Sequence, residues 1–300
     1  MNGKTLSRDV QEILNEASTS GFIDDRTTYD YLYEAAVQFN LMSEMLKAEA
    51  TITTVDGTAN YYLPYNFGKL YMKNDNGQHF LKLYDGTSYR WILWKSYEDI
   101  YYSNLTDEQA YADTFTIVDH DQYANLTGTT TSDGAVSNGE CTLTNSAAPF
   151  ANVSIGDYVS NLTDGSSGYI VAVTSTSALV TALFDGTDNN WTSGDSYVIT
   201  HKARMKLILS PTPSTSGYTV YIPYVTTPDP VYSDYRSYRY PEQYRGALVK
   251  YAAWLYKYRD REPNYGDNFF KIFDQQARSA NADYNNTTLA KGFKVRFKKV

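Results

Sequence analysis

The basic residues of this chain are absent from one long internal stretch. Between Ser96 and His201, 106 consecutive residues contain no lysine or arginine but fourteen Asp or Glu. The rest of the chain holds all 26 basic residues and 20 acidic ones. Two interleaved parts of opposite charge predict an acidic module inserted into a mildly basic scaffold.

Helical periodicity marks both ends of the scaffold. Leu32, Ala36 and Phe39 recur at three- and four-residue steps, and a second helical pattern begins at about Pro241. Short apolar runs with a period of two, such as residues 80–83, lie between these ends and predict strands. The expected fold is α+β: a helical bundle with a small antiparallel sheet, interrupted by an inserted all-β domain.

The acidic stretch contains its own β pattern. Residues 128–200 are rich in Gly, Ser, Thr, Asn and Asp, with short apolar alternations at 169–173 and 178–183. This pattern favours a small barrel or sandwich that folds alone and is dispensable for the scaffold. The predicted domains are 1–124 and 203–285 (the two parts of the scaffold), 125–202 (the inserted acidic β domain) and 286–300 (an extended basic tail).

Composition excludes several classes of protein. The net charge of −8 argues against a general nucleic-acid binder, because neutralising phosphates needs a basic surface. No apolar run approaches the length of a membrane span, and residues 1–4 do not open a signal peptide, so we expect neither. The single cysteine, Cys141, excludes an internal disulfide and a multi-cysteine metal site.

The residues give no positive signal for catalysis. The run Asp119-His120-Asp121 resembles a metal or acid–base cluster but has no second histidine nearby, and residues 185–190 lack the spacing of a calcium loop. Cys141 has no basic neighbour in sequence to activate it. We therefore expect no enzyme, no cofactor and no metal site, while a glycan-degrading enzyme that uses paired Asp residues stays open.

Tyrosine is concentrated in the C-terminal part of the scaffold. Eleven of the 30 tyrosines lie between Tyr218 and Tyr258, with three arginines among them and Arg259 directly after the last. Tyr and Arg together are typical of protein–protein hot spots, although the rings could also fill an ordinary core or stack locally under arginine. The predicted interface residues are Tyr232, Tyr235, Arg236, Tyr238, Arg239, Tyr240 and Tyr244.

The last ten residues alternate apolar and basic side chains. Five of residues 291–300 are basic and none is acidic, so an extended chain would put apolar groups on one side and cations on the other. We expect this tail to order on a partner by adding to a sheet edge or groove, against the alternatives of a tail without contacts or one that touches DNA. The predicted docking residues are Phe293, Lys294, Val295, Arg296, Phe297 and Lys298.

The order of these elements resembles the head-to-tail adaptor (head-completion or connector) proteins of tailed bacteriophages, including the tail-tubular group. The matching runs cover parts of residues 5–120 and 201–285. They are LMSEML at 41–46, YYLPYNF at 61–67, LILSPTP at 207–213, YTVYIPY at 218–224 and YPEQY at 240–244. Residues 128–200 depart from the minimal pattern of this family, and residues 150–159 are similar to β modules spliced into phage structural proteins.

The resemblance implies a structural virion protein at the capsid–tail junction, made in the cytoplasm of the host bacterium. Such a protein forms a homo-oligomeric ring, commonly of twelve copies, that binds the portal protein and a tail or nozzle protein. Double-stranded DNA passes through its channel without specific binding. The portal is then the first host expected for the basic tail, and an adjacent subunit the second. The alternative is a carbohydrate-binding or adhesion module, suggested by the Asn- and Thr-rich insert and its Trp191.

Overall fold

The computed structural model describes residues 1–15, 23–102, 108–118, 123–259 and 263–288. Within these ranges the chain forms five α-helices, two large β-sheets and one two-stranded sheet. The helices are α1 (Gly3–Leu14), α2 (Asp25–Ser43), α3 (Tyr97–Tyr102), α4 (Arg245–Arg259) and α5 (Pro263–Thr288). No helix among the described residues is both long and apolar enough to cross a bilayer.

Side-chain caps determine where the first two helices begin. The Asn2 side chain accepts a hydrogen bond from the Thr5 N–H at 2.9 Å, and Asp24 accepts one from the Thr27 N–H at 2.7 Å. Each cap satisfies a backbone donor that has no partner within the helix. Asn15, in the left-handed conformation with φ of 54°, ends α1.

The four longer helices share one core with the segment that precedes α4. The apolar side of α1 and the predicted stripe of α2 are both buried there, as are Phe273 and Ala277 of α5. We call this set of buried side chains the helical core. Spacing of three and four residues puts these groups on one side of each helix, which is why the helices pack together.

The first sheet consists of strands from both parts of the scaffold. Its strands are β1 (Lys47–Thr53), β2 (Asn60–Tyr62), β3 (Phe67–Leu70), β4 (Phe80–Tyr84), β5 (Tyr89–Trp94), β7 (Thr114–Val118), β15 (Lys206–Ser210) and β17 (Thr219–Thr226). Their order is β1-β17-β4-β5-β7-β15-β2, and β3 also pairs with β17. The sheet curls around buried side chains such as Leu83, Phe115 and Leu209 into a nearly closed barrel with its opening between β1 and β2.

The prediction of a helical bundle with a small antiparallel sheet is wrong. The described chain is mostly β, and the barrel-like sheet alone has eight strands, against five helices in the whole described chain. Periodicity indicated most of these short strands one by one, but it could not show that they join a single sheet. The joining depends on long-range pairs such as Lys47 with Val225, and these have no local signature.

The second sheet lies entirely within residues 126–200. Its strands are β8 (Leu126–Thr129), β9 (Val136–Ser137), β10 (Glu140–Thr144), β11 (Tyr158–Asn161), β12 (Ser167–Ser175), β13 (Ala178–Phe184) and β14 (Ser196–Thr200). They pair in the order β8-β14-β11-β12-β13-β10-β9 around a separate core that contains Phe150, Trp191 and Tyr197. Two further strands, β6 (Glu108–Gln109) and β16 (Thr212–Pro213), pair in parallel and form the separate two-stranded sheet.

The second sheet packs firmly against the helices. Val171 and Ala182 are fully buried in the helical core, and the Tyr169 ring stacks on Tyr232 with centroids 4.3 Å apart. The Glu140 carboxylate accepts hydrogen bonds from Arg236 Nε at 2.7 Å and Arg236 Nη2 at 3.0 Å. The predicted domain boundaries stay predictions. These contacts argue that the scaffold would lose stability if residues 125–202 were removed.

Candidate interaction surface

Four of the seven predicted interface residues belong to the protein's own core. Tyr232, Tyr238, Tyr240 and Tyr244 are all buried against the helices. Burial raises the pKa of Tyr232 and Tyr240 well above the ordinary value, and their hydroxyls donate to Asp30 at 2.7 Å and to the Ala36 carbonyl at 2.8 Å. These rings fix the segment before α4 to α2, so their abundance is explained within one subunit.

The other three residues of the segment differ in exposure. Arg236 is half-buried and paired with Glu140, which also accepts a hydrogen bond from the Ser233 hydroxyl at 2.6 Å. Tyr235 is 72 % exposed and Arg239 is exposed. Contact of this segment with another subunit stays a prediction, and only Tyr235 and Arg239 are placed at the surface to make it.

The predicted docking tail lies outside the described residues. Phe293, Lys294, Val295, Arg296, Phe297 and Lys298 all follow Thr288, where α5 ends. Docking of these side chains to a portal therefore stays a prediction.

An exposed aromatic surface lies instead on the outer side of the barrel-like sheet. Because strand residues alternate between the two faces, Leu81, Leu83 and Ile92 point into the barrel and their sequence neighbours point out. Directly paired residues share a face, and the structure pairs Lys82 with Trp91 and Tyr84 with Tyr89. Tyr221 of β17 lies opposite Lys82 on the same side. We call Lys82, Tyr84, Tyr89, Trp91 and Tyr221 the aromatic face.

The rings of the aromatic face contact one another but stay open to solvent. The Tyr89 ring lies 4.9 Å from Tyr84 and 6.1 Å from Tyr221, and Lys82 Nζ is 5.7 Å from the centre of Trp91. Tyr89 is 63 % exposed and Trp91 is 57 % exposed. Contiguous apolar surface of this kind, with a cation among the rings, is typical of sites where proteins bind each other.

The turn between β4 and β5, beside the aromatic face, is stabilised by the Asp85 carboxylate. The Asp85 carboxylate accepts hydrogen bonds from the backbone N–H groups of Ser88 at 2.8 Å and Thr87 at 2.9 Å. These bonds lower the pKa of the Asp85 carboxyl to about 2. Asp85 therefore stays charged at neutral pH and keeps its hydrogen bonds in the turn that joins Tyr84 to Tyr89.

A second group of exposed rings continues from the end of β5. Trp94, Tyr97 and Tyr101 are 41 %, 46 % and 62 % exposed, and the Tyr97 and Tyr101 rings lie 6.2 Å apart on one side of α3. Ile100 is fully buried and anchors the helix to the sheet. Exposed aromatic groups therefore occur in two places on the barrel, at the aromatic face and around α3.

The candidate catalytic and sugar-binding groups lie in settings that do not suit those roles. Cys141 is buried, and desolvation raises the pKa of its thiol to about 11, so it is protonated at neutral pH. Trp191 is fully buried with its indole N–H bonded to the Thr181 hydroxyl at 2.8 Å, so it offers no surface for a sugar ring. Trp191 therefore gives no support to a carbohydrate-binding module, which stays an untested alternative that rests on the composition of the insert.

The acidic and histidine side chains with metal-binding chemistry either pair with other groups or lie outside the described residues. Asp119, His120 and Asp121 lie outside the described residues, and Asp185 forms an ion pair with Arg26. His201 is buried and its Nδ1 lies 2.9 Å from Asp157. No group of three or more His, Cys, Asp or Glu side chains suited to a metal ion occurs in the part of the chain that is described.

No protein-family model and no curated protein matches this chain.

The aromatic face is a feature that the sequence pattern could have indicated. In the first of the two strands, aliphatic groups at 81 and 83 point to one face and the aromatic group at 84 to the other. In the second strand, the aliphatic group at 92 and the aromatic groups at 89 and 91 likewise point to opposite faces. A strand with large apolar groups on both faces is either buried on both faces or has one face available for a partner.

Proposed function

We propose that this protein is a non-enzymatic structural subunit of a tailed-phage virion, which assembles as a ring between the capsid portal and the tail. The observation that carries the proposal is the exposure of Tyr89 and Trp91 on a contiguous aromatic face. Aromatic groups in such a position lose unfavourable contact with water when a partner covers them. The resemblance of the sequence to head-to-tail adaptor proteins supports this choice of assembly.

A ring subunit needs more than one contact surface. Neighbours in a ring meet head to tail through two different surfaces, and the portal and the tail each need another. The exposed rings at the aromatic face, at α3 and at Tyr235 offer such surfaces on separate elements. The net charge of −8 suits a channel that lets DNA pass without binding it.

The first prediction tests assembly through the aromatic face. The variant Tyr89→Ala/Trp91→Ala should weaken self-association by about 2 kcal/mol or more, because it removes two candidate hot-spot rings. Native mass spectrometry and sedimentation across a concentration series measure this effect, and circular dichroism confirms that the fold is retained.

A matched control is Tyr258→Ala. Tyr258 is 65 % exposed at the end of α4, away from the barrel, and its loss should leave assembly unchanged. A wild-type protein that stays monomeric at all concentrations and does not bind the portal protein of the same phage would overturn the proposed function. Equal assembly of both variants and the wild type would exclude the aromatic face as the contact.

A further inference from the structure

Three asparagines of this chain stand directly before a glycine, the pairing that is most prone to deamidation. They are Asn2, Asn76 and Asn138. In this reaction the backbone nitrogen of the glycine attacks the side-chain carbonyl carbon of the asparagine, and the attack is easy because glycine has no Cβ to obstruct it. In a folded protein the rate depends on how freely that nitrogen can move and on whether a hydrogen bond holds it.

Hydrogen bonds hold the attacking nitrogen in two of the three pairs. The Gly3 N–H donates to the Arg236 carbonyl at 3.0 Å, and the Asn2 side chain caps α1. The Gly77 N–H donates to the Asn74 carbonyl at 2.9 Å. Breaking either bond to free the nitrogen costs about 1 kcal/mol or more, so the fold slows the reaction at Asn2 and at Asn76.

The third pair forms the turn between β9 and β10. Asn138 and Gly139 have φ values of 53° and 79°, as in the two-residue turn of a tight hairpin, and both are exposed. In such a turn the residues on either side pair with each other, here Ser137 with Glu140, and the N–H of the second turn residue is left unused. Among the described residues, the Gly139 N–H accordingly has no hydrogen-bond partner.

This turn can also move at little cost. Strand β9 consists of Val136 and Ser137, which are both exposed, and it lies at the edge of the second sheet. Within the described chain, the Asn138 amide bonds only the Ser137 hydroxyl, at 3.2 Å. Few contacts are therefore lost when the turn opens to bring the Gly139 nitrogen onto Asn138 Cγ.

We propose that Asn138 is a site of spontaneous deamidation in the folded protein. The Gly139 nitrogen loses its proton to hydroxide and forms a bond to Asn138 Cγ, the Cγ–Nδ2 bond breaks, and the amide group takes up a proton and leaves as ammonia. Water then opens the cyclic imide at either carbonyl, which gives aspartate or an isoaspartate through whose side chain the backbone continues. This site goes beyond the proposed function and does not depend on it.

The modified residue lies beside a contact between the second sheet and the segment before α4. Glu140 follows the turn directly, is 8 % exposed and accepts hydrogen bonds from Ser233 and Arg236. A Cβ built on Gly139 would lie 3.9 Å from Ser233 Cβ, so the turn itself is next to that segment. Isoaspartate lengthens the backbone before Glu140 and adds a second carboxylate near it, which should weaken the pairing of Glu140 with Arg236.

Peptide mass spectrometry of the folded protein, incubated at mildly alkaline pH, tests the site. Asn138 should convert at least about tenfold faster than Asn76 and Asn2, because its attacking nitrogen has no hydrogen bond to lose. In denaturant the rates at Asn138 and Asn76 should become similar, which separates the effect of the fold from that of the sequence. Equal rates in the folded protein, or faster conversion at Asn76 or Asn2, would overturn the proposal.

The variant Asn138→Gly tests the consequence for stability. Glycine accepts the left-handed turn and has no amide group to lose. After the same incubation the wild type should unfold at a lower temperature, by an amount that grows with the converted fraction, whereas Asn138→Gly should unfold as it did before. Conversion of Asn138 without any loss of stability, or an equal loss in both proteins, would contradict the weakening of the Glu140–Arg236 pair.

Discussion

At the scale of single residues, the hydroxyl group of Tyr232 stabilises a carboxylate in a partly buried position. It donates to Asp30 at 2.7 Å, and this bond lowers the pKa of Asp30, although burial raises that pKa more. Because the folded pKa of Asp30 is raised, its contribution to stability falls as the pH rises through that value. The hydrogen bond limits this fall.

Removing the hydroxyl tests the role of this bond. Tyr232→Phe should lower the free energy of unfolding by about 2 kcal/mol at pH 7, because the charged carboxylate loses its donor. The loss should be smaller at pH 4, where the carboxyl is closer to neutral. Chemical denaturation at both pH values measures the difference, and the exposed Tyr235→Phe should change neither value.

The burial of Tyr232, Tyr238 and Tyr240 was not predictable from sequence. The segment is punctuated by proline and has no helical or strand period, so nothing in it marks which side faces a core. Tyr also suits interfaces and interiors equally, since each ring combines an apolar body with a polar group. The partners that bury these rings, such as Phe39 of α2, are remote in sequence.

At the scale of secondary-structure elements, the pair Glu140–Arg236 joins β10 to the segment before α4. Glu140 is only 8 % exposed and accepts three hydrogen bonds, from Ser233 and from two nitrogens of Arg236. A carboxylate in that position depends on its cation, because removing one partner leaves the charge desolvated.

Breaking this pair should be costly. Arg236→Ala should destabilise the fold by about 2 kcal/mol, and Arg236→Ala/Glu140→Ala should cost less than the sum of the two single changes. Thermal and denaturant unfolding measure the cycle. The exposed pair Arg278–Asp274 on α5 provides the comparison, and Arg278→Ala should cost well under 1 kcal/mol.

Elements with strong local signals were the most predictable. The stripe Leu32, Ala36 and Phe39 forms the buried side of α2, and strands occur at residues 167–175 and 178–184, where apolar alternation predicted them. The number of strands that join one sheet was not predictable, because it depends on pairs such as β1 with β17. The aromatic face was predictable only in part: the pattern of residues 81–92 marks its rings on β4 and β5, but Tyr221 joins them through β17, which is remote in sequence.

At the scale of the whole molecule, the stability of the scaffold is expected to depend on the second sheet more than the stability of the second sheet depends on the scaffold. Residues 126–200 contain a complete core of their own, and the two ends of this region are neighbours because Leu126 pairs with Ile199. The helical core, in contrast, includes Val171 and Ala182 from that region.

Excision of the region tests this asymmetry. Isolated residues 125–202 should unfold cooperatively, as a domain with its own core does. A scaffold in which a short Gly-Ser linker replaces them should unfold at a lower temperature than the full chain, because the Tyr232 ring loses its stack on Tyr169. Calorimetry of the three proteins measures both effects, and an unchanged scaffold transition would show that the contact contributes nothing.

The position of β17 also determines when the barrel can form during synthesis. This strand pairs with β1, β3 and β4, yet it leaves the ribosome after all of residues 126–200. Until then β1 has no partner, whereas the second sheet has its full set of strands. We therefore expect a nascent chain to complete its second sheet before its barrel, with β1 and β3 unpaired until residues 219–226 have been made.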